Sequence, residues 1–257
     1  IVNLETGDVI ADIHTEVFGS ASATNGLSTP IVVDTNGDKI ADTVYAGDLQ
    51  GNMWKFDISS SNSSQWKVAY KQGSTPKPLF TACSDNMCTN SQPITMKPQV
   101  VSSDSSGVVV LFGTGKYFEV GDNIDTSQVH TFYGILDNGA IVDERNDLVE
   151  QVIIQEWTAA ETGLNYDTRV TSDYGVDYST KEGWYLDFDS SDYLGERMVS
   201  TPLVRNGRVI FSTLVPQTDA CSYGGTSWLM ELDALTGSRL EISPFDLNDD
   251  NSINSGD

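Results

Sequence analysis

The chain has 257 residues, of which 39% are hydrophobic, and this composition predicts a globular protein rather than a disordered one. Its 14 basic and 37 acidic residues give a formal net charge of -23, which argues against nucleic acid or an anionic membrane as a partner, because both require a basic face. The longest apolar run, residues 108–112, is too short to span a membrane, and no signal peptide is visible.

Short β-strand patterns separated by turn residues recur along the whole chain and predict an all-β architecture with very little helix. Residues 147–161 have some helical character, but the β-branched residues among them favour strand. Because the chain starts without Met, inside what reads as a strand, we expect it to be a piece of a longer secreted protein. The predicted strands are residues 9–13, 43–45, 53–58, 65–70, 108–112, 131–136, 152–155, 183–188, 208–214 and 227–232.

Residues 34–42 have the ligand spacing of an EF-hand-type calcium loop, with oxygen side chains at positions one, three, five and nine. Position six is Lys39 and position twelve is Tyr45, so the acid at position nine would have to close the site. The flanking runs are β-branched and aromatic, so we expect the loop to join two strands. The alternative interpretation is a solvated turn, since turns use the same residue types. The candidate Ca²⁺ ligands are Asp34, Asn36, Asp38, the Ile40 carbonyl and Asp42.

The chain has three cysteines. Two of them, Cys83 and Cys88, are separated by four residues in a polar segment, and this spacing predicts a small disulfide in an exposed loop. Free thiols or half of a metal site are the alternatives, although a zinc site would need further Cys and His ligands. Cys221 has no evident partner in the chain. It is either a small buried hydrophobic residue or the partner of a cysteine outside this sequence.

A second candidate calcium loop spans residues 246–257, at the end of the chain. Its register is more complete than that of the first loop, although its twelfth ligand would be the last residue. A plain turn is again the alternative. The candidate ligands at positions one, three, five, seven, nine and twelve are Asp246, Asn248, Asp250, Ser252, Asn254 and Asp257.

An internal repeat favours a β-propeller among the all-β folds. Four segments combine an apolar run, a polar turn, a glycine and a second apolar run, and their glycines are Gly7, Gly51, Gly139 and Gly237. Their intervals are close to one or two units of about 45 residues, the period expected of four-stranded propeller blades. Five such units fit between the first and the last. We therefore predict a single β-propeller domain over residues 1–257.

Catalytic patterns are weak. The two histidines, His14 and His130, have no accompanying motif and are read as structural or surface residues. Residues 113–116 read Gly-Thr-Gly-Lys but lack the Ser/Thr of a phosphate loop, so we predict a turn that ends a strand. The acid pair Asp187 and Asp189 is read as one solvated strand face rather than a glycosidase pair. Three tryptophans are predicted to pack between blades: Trp54, Trp184 and Trp228.

Several segments, taken together and in order, resemble the C-terminal β-propeller of the PilC/PilY-type pilus tip adhesins. The resemblance begins at residues 29–34, runs through the first calcium loop and continues into residues 44–57. Further segments that resemble the family are residues 112–117, 132–137, 183–186, 195–197, 201–202 and 221–228.

This resemblance implies a non-enzymatic, calcium-binding protein of the type IV pilus, exported through the periplasm to the pilus tip or bacterial outer surface. Calcium in the first loop would influence pilus extension and retraction, twitching motility and adhesion, and the residues of that loop match the family's calcium loop one by one. The implied partners are minor pilins, the pilus machinery and a host or surface receptor. Some relatives are thought to use an Arg-Gly-Asp tripeptide, which this chain lacks, so the identity of that receptor is not implied.

The hairpin of residues 47–54 also resembles the repeats of quinone-dependent dehydrogenase propellers, so the blades are expected to be quinoprotein-like. Such an enzyme is the alternative function, but the acidic and amide ligands and the catalytic base of a quinone site cannot be assembled from this sequence. A third possibility is a secreted propeller whose calcium is purely structural.

Overall fold

The structure, a computed structural model, describes residues 1–20, 23–103, 107–217, 225–248 and 250–254. Strands dominate these residues, and they include one short helix, α1 (Ala159–Thr162), and two 3₁₀ turns, Ser63–Gln65 and Arg145–Asp147. Cys221 and Asp257 lie outside the described residues. The strands are β1 (Ile31–Val33), β2 (Thr43–Gly47), β3 (Asn52–Asp57), β4 (Lys67–Val68), β5 (Tyr70–Gln72), β6 (Thr75–Lys77), β7 (Phe80–Thr81), β8 (Gln99–Ser102), β9 (Val108–Gly113), β10 (Thr131–Asp137), β11 (Val149–Gln151), β12 (Ile153–Trp157), β13 (Thr168–Thr171), β14 (Gly183–Asp187), β15 (Leu203–Arg205), β16 (Arg208–Ser212), β17 (Val215–Pro216), β18 (Gly225–Thr226) and β19 (Leu229–Asp233).

The described strands form three larger sheets and three two-stranded ribbons. The first sheet has the order β1-β2-β3-β4, with β7 also paired to β3, and the second has the order β11-β14-β10-β9-β8. The third sheet is β15-β16-β19, and the ribbons are β5-β6, β12-β13 and β17-β18. Pairing is antiparallel except between β11 and β14, as expected for strands joined mostly by short turns.

The second sheet lies between the other two, and β10 shows why. All seven residues of β10 are buried, because neighbouring side chains on a strand point to opposite faces and both faces are covered. Tyr133 packs on Phe80 of the first sheet, with ring centroids 5.2 Å apart, and Phe132 stacks on Phe211 of the third sheet at 4.2 Å. One hydrophobic core therefore joins the three sheets.

The predicted strands are largely present, with two differences. Residues 9–13 form no strand, because Val9 makes only an isolated bridge to Val2. Residues 65–70 are divided between β4 and β5. The segment of residues 147–161, predicted as strand rather than helix, contains β11 and β12, but the prediction was wrong for residues 159–161. These begin α1, which is stabilised by a capping box between Thr158 and Glu161.

The repeat glycines all lie in turns. The φ angles of Gly7, Gly51, Gly139 and Gly237 are 78°, 84°, 99° and 68°, a left-handed region that favours glycine. The described strands form three larger sheets and three two-stranded ribbons, and the five units that fit between the first and the last glycine stay a prediction. A second signal in the sequence marks these sheets better, since a proline directly precedes the first strand of each: Pro30 before β1, Pro98 before β8 and Pro202 before β15.

Candidate metal sites

The first candidate loop connects β1 and β2, as the flanking β-branched residues predicted. The two strands pair antiparallel, with Val33 opposite Thr43, and the backbone N–H of Asp42 donates to the Val33 carbonyl at 3.1 Å. The loop is thus the connection of a hairpin whose two ends are held together by the sheet.

The side chains at positions one, three and five of this loop turn toward its own backbone. Asp34 accepts the N–H groups of Gly37 and Lys39, both at 2.6 Å, through its two carboxylate oxygens. In the same way the Asn36 amide oxygen accepts the N–H of residue 38 at 2.9 Å, and the Asp38 carboxylate accepts the N–H of residue 40 at 2.8 Å. Lys39 has a φ of 72°, so it adopts at position six the sharp turn that glycine makes in EF-hand loops.

Asp42, at position nine, is held differently. It is buried, and its two carboxylate oxygens accept the backbone N–H of Thr35 at 3.2 and 3.1 Å, while the Thr35 hydroxyl donates at 2.8 Å. Burial acts to raise the pKa of Asp42, but the hydrogen bonds from Thr35 and its neighbours outweigh burial and hold that pKa below its ordinary value. The structure therefore groups Asp34, Asn36 and Asp38 around one stretch of backbone and turns Asp42 toward Thr35. The role of Thr35 was not evident from ligand spacing.

The carboxylates of the first loop have no cationic partner among the ion pairs of the described residues. In that same part of the chain no group of three or more His, Cys, Asp or Glu side chains is placed to hold a metal ion. The donors of the loop are instead two carboxylates, one amide oxygen and one main-chain carbonyl, with Asp42 nearby. Hard oxygen donors of this kind suit Ca²⁺, so the residues present fit the cation that the spacing predicts.

The second candidate loop repeats the hydrogen-bond pattern of the first. Asp246 accepts the N–H groups of Asp250 and Asn251 at 3.2 and 2.8 Å, Asn248 accepts the N–H of Asp250 at 3.0 Å, and Asp250 accepts the N–H of Ser252 at 2.8 Å. Asn251, at position six, has a φ of 64° and thus corresponds to Lys39. Asn254 directs its amide N–H to the Ser252 carbonyl at 3.4 Å, and the predicted ligand Asp257 lies outside the described residues.

Cys83 and Cys88 form a disulfide, with their Cα atoms 5.0 Å apart. The base of this loop is fixed to the core, because the Cys83 carbonyl accepts hydrogen bonds from the Tyr133 hydroxyl at 2.9 Å and the Arg145 guanidinium at 2.6 Å. Arg145 also pairs with Asp187, so Asp187 is not part of a purely solvated strand face, while Asp189 is exposed.

Buried ionic clusters were not evident from the sequence, because their members come from distant segments. Lys55 pairs with Asp137 at 2.8 Å, and the hydroxyls of Tyr45 and Tyr70 donate to the same carboxylate. Burial acts to raise the pKa of Asp137, but these hydrogen bonds keep it below its ordinary value. A similar cluster joins Arg169 to Glu156 at 2.5 Å and to Glu196 at 2.7 Å.

The three tryptophans, the two histidines and the Gly-Thr-Gly-Lys segment occupy the following positions in the fold. Trp54, Trp184 and Trp228 are buried, as predicted for packing residues, and β9 ends at Gly113, where a turn was expected. His14 is exposed and contacts Asp12 at 3.3 Å, whereas His130 is buried. No helix in the described part of the chain is long and apolar enough to cross a membrane.

Comparison with known proteins decides the family. A family model described as the PilY1 beta-propeller domain matches residues 1–155, which is more than half of the chain and includes the first candidate loop. The chain belongs to the PilY1 β-propeller family. The predicted all-β propeller fold is thereby confirmed, in agreement with the strand-rich structure.

Similar proteins support the same family. A Type IV pilus biogenesis factor PilY1 homolog from Xylella fastidiosa is 40% identical over 248 residues, 92% of this chain and 16% of its own length. Type IV pilus biogenesis factor PilY1 from Pseudomonas aeruginosa strain PAO1 is 33% identical over 276 residues, 96% of this chain and 23% of its own length. The chain thus spans less than a quarter of the length of either PilY1 relative.

A solved structure covers almost the whole chain. The crystal structure of the Pseudomonas aeruginosa PilY1 C-terminal domain superposes with a TM-score of 0.81 at 30% identity, over 98% of this chain and 55% of that one. The PilY1 relatives are named as pilus biogenesis factors, so they lend no support to the quinone-dependent dehydrogenase alternative. The second candidate loop lies beyond the residues that the PilY1 family model matches.

Proposed function

We propose that this chain is a calcium-binding propeller segment of a type IV pilus biogenesis factor, and that calcium in the first loop modulates pilus extension and retraction, twitching motility and attachment. The observation that carries the proposal is the loop of residues 34–42 within the matched part of a PilY1 propeller. Its oxygen atoms follow the calcium-ligand spacing, and Lys39 makes the turn that this spacing requires at position six.

The proposed switch is electrostatic. Asp34, Asp38 and Asp42 carry three negative charges within nine residues, and like charges this close repel one another. A bound Ca²⁺ supplies two positive charges and fixes the loop against the β1-β2 hairpin. The free energy available for signalling is the difference in cation affinity between the ordered and the less ordered loop. A loop that the sheet already holds in the ordered state binds the cation more tightly, but its conformation changes less on binding, so it transmits a weaker signal.

The site is proposed to act at the pilus tip or bacterial outer surface, after export through the periplasm. The names of the relatives, type IV pilus biogenesis factors, support this location, and calcium concentrations outside the cell suit a loop of moderate affinity. Minor pilins and the pilus machinery are the proposed partners, together with a host or surface receptor. The second loop is proposed as a further calcium site, with the same internal hydrogen bonds as support.

The direct test is isothermal titration of chelator-treated protein with CaCl₂, comparing the unaltered chain with Asp38→Ala and Asp250→Ala. We expect saturable binding, loss of the first site in Asp38→Ala and loss of the second in Asp250→Ala, because each substitution removes the position-five ligand of one loop. Asp189→Ala is the matched control, since it removes the same charge from an exposed residue outside both loops.

Binding that is unchanged in Asp38→Ala would contradict the assignment of the first loop. If the site is confirmed, the same substitution in the full-length protein should alter twitching motility. Circular dichroism of the variant separates the loss of a ligand from the loss of the fold.

A further inference from the structure

An open cleft of about 930 Å³ lies between two strand edges far from the first loop along the chain. One wall is formed by β13 with the residues before it, and the opposite wall by β19. The segment of residues 239–247 lines the remaining side. Two lengths of strand backbone thus face each other across one cleft.

Each of these two strands has a neighbour on only one side among the described strands. β13 pairs with β12, and β19 pairs with β16. At one end of the cleft Arg239 bridges the gap, because it pairs with Leu232 of β19 and its backbone N–H donates to the Ser172 carbonyl, next to β13, at 2.9 Å. The edges at that end are therefore separated by the width of one extended segment.

The backbone alternation of β19 indicates which groups point into the cleft. The Trp228 carbonyl accepts the Thr213 N–H at 3.0 Å, on the side of β16, whereas the Asp233 N–H donates to the Ser238 carbonyl at 3.0 Å, on the opposite side. Because successive residues of an antiparallel strand direct their backbone groups to alternate sides, those of Leu229 and Glu231 point toward the cleft with those of Asp233.

Aromatic and acidic side chains line the cleft together with aliphatic ones. Its aromatic lining is provided by Tyr166, Tyr193, Trp228 and Phe245, and its acids are Asp167, Glu231, Glu241 and Asp246.

The cleft is net negative. Its two cations are already engaged, because Arg169 is paired with Glu156 and Glu196, and Arg239 is paired with Asp173 at 2.9 Å. Glu231 is paired with Arg208. None of the ion pairs found among the described residues involves the other three acids. A cationic ligand is therefore favoured over an anionic one.

We infer that this cleft binds an extended basic segment of a partner protein by strand addition, as a strand placed between β13 and β19. Main-chain hydrogen bonds to both edges supply affinity. Alternate side chains of the segment supply selectivity, with apolar residues against the aromatic lining and Lys or Arg near the acids. The completed sheet has the order β12-β13-partner-β19-β16-β15.

This binding mode goes beyond the calcium proposal and does not require the first loop to bind calcium. Peptide binding and calcium titration are separate measurements on the same protein. Either proposal can therefore fail while the other stands.

The test uses a fluorescent peptide of about seven residues with alternating valine and lysine, a length that matches a typical strand. We expect saturable binding by fluorescence anisotropy, and slower hydrogen exchange at the amides of Leu229 and Glu231 in the complex. A second peptide has the same sequence but N-methyl groups on alternate backbone nitrogens. Its affinity should fall about tenfold or more, the effect of losing one or two backbone hydrogen bonds.

The matched protein variants are Leu229→Pro and Leu229→Val. Proline at the first residue of an edge strand is tolerated by the fold, but it removes one N–H that points into the cleft. The affinity of Leu229→Pro for the peptide should therefore fall about tenfold, whereas Leu229→Val should change the affinity by less than about twofold. Replacing lysine by glutamate in the peptide should abolish binding. The inference is overturned if the lysine peptide does not bind, if N-methylation has no effect, or if Leu229→Pro binds like the unaltered chain while remaining folded.

Discussion

His130 shows how a single buried residue links this fold to pH. Its ring lies 3.4 Å from the Thr114 hydroxyl and is 4% exposed. Burial lowers the pKa of His130 to about 3, and the positive charge of Arg197 acts in the same direction, while Asp125 and Asp122 act against it. Arg197 donates to the backbone carbonyls of Gly195, Lys116, Asp122 and Asp125, so its charge remains in the interior.

The folded protein therefore keeps His130 neutral at a pH where the unfolded chain protonates its histidine. Because the unfolded state binds the extra proton, the contribution of His130 to the free energy of unfolding is present above about pH 6.5. It is lost as the pH falls toward 3. We expect His130→Gln to reduce the loss of unfolding free energy between pH 6.5 and 4.5 by about 2 kcal/mol, measured by urea unfolding.

Comparison of pH slopes, rather than of absolute stabilities, makes this test independent of any general destabilisation by the substitution. His14→Gln is the control, because the His14 side chain is 67% exposed. Parallel pH profiles for the unaltered chain and His130→Gln would contradict the assignment.

At the level of the elements, the repeated turns share one construction. An Asn or Asp before each repeat glycine accepts backbone N–H groups from the turn, and these residues are Asn3, Asp48, Asp137 and Asp233. Such side chains stabilise turns by replacing missing backbone acceptors. The repeat seen in the sequence is therefore a repeat of turns, and the strands that they connect differ in length and burial.

Gly7 and Gly237 provide a matched pair for testing this construction. Both have a positive φ, but a Cβ at Gly7 would meet no atom within 4 Å, whereas a Cβ at Gly237 would lie 2.1 Å from the Trp184 ring. We expect Gly7→Ala to cost about 1 kcal/mol, from backbone strain alone. Gly237→Ala should cost about 2 kcal/mol more, because it also overpacks a buried ring.

Equilibrium urea unfolding of the two variants gives the comparison directly. Similar losses of stability in both would mean that Trp184 moves away at little cost. That result would contradict the tight packing between the Gly237 turn and the second sheet.

For the whole molecule, the dominant electrostatic feature is the net charge of -23. Repulsion among surface carboxylates opposes the compact state. Salt weakens this repulsion, because the Debye length falls from about 30 Å at 0.01 M to about 3 Å at 1 M. Bound calcium would relieve part of the same repulsion, so the two effects must be separated by a chelator.

In the presence of a chelator, we expect the thermal midpoint to rise by about 2–4 °C between low salt and 0.5 M KCl, equivalent to about 1 kcal/mol for a chain of this size. Differential scanning calorimetry measures this shift, and NaCl at the same ionic strength is the control, because screening does not distinguish the two cations. An unchanged or lower midpoint in KCl would contradict a repulsion-limited stability.

The sequence by itself determined the features that depend on local chemistry. Alternating β-branched residues indicated most strands, the glycines marked the turns, and the oxygen side chains of residues 34–42 located the candidate loop, because strand, turn and ligand preferences act over a few neighbouring residues. The family resemblance came from the order of such segments along the chain. The spacing of four glycines could not predict the number of sheets, because insertions between strands carry no fixed length.

Only the tertiary structure decided which distant residues meet. The pairing of Lys55 with Asp137, the burial of His130 and the position of β10 between two sheets all depend on contacts between segments tens of residues apart. The facing edges of β13 and β19 are of the same kind, because a strand pattern specifies which side chains are buried and leaves open which neighbour lies beside its backbone. Non-local packing decides those neighbours, since the free energy of burial depends on the surfaces that meet and hardly at all on their separation in sequence.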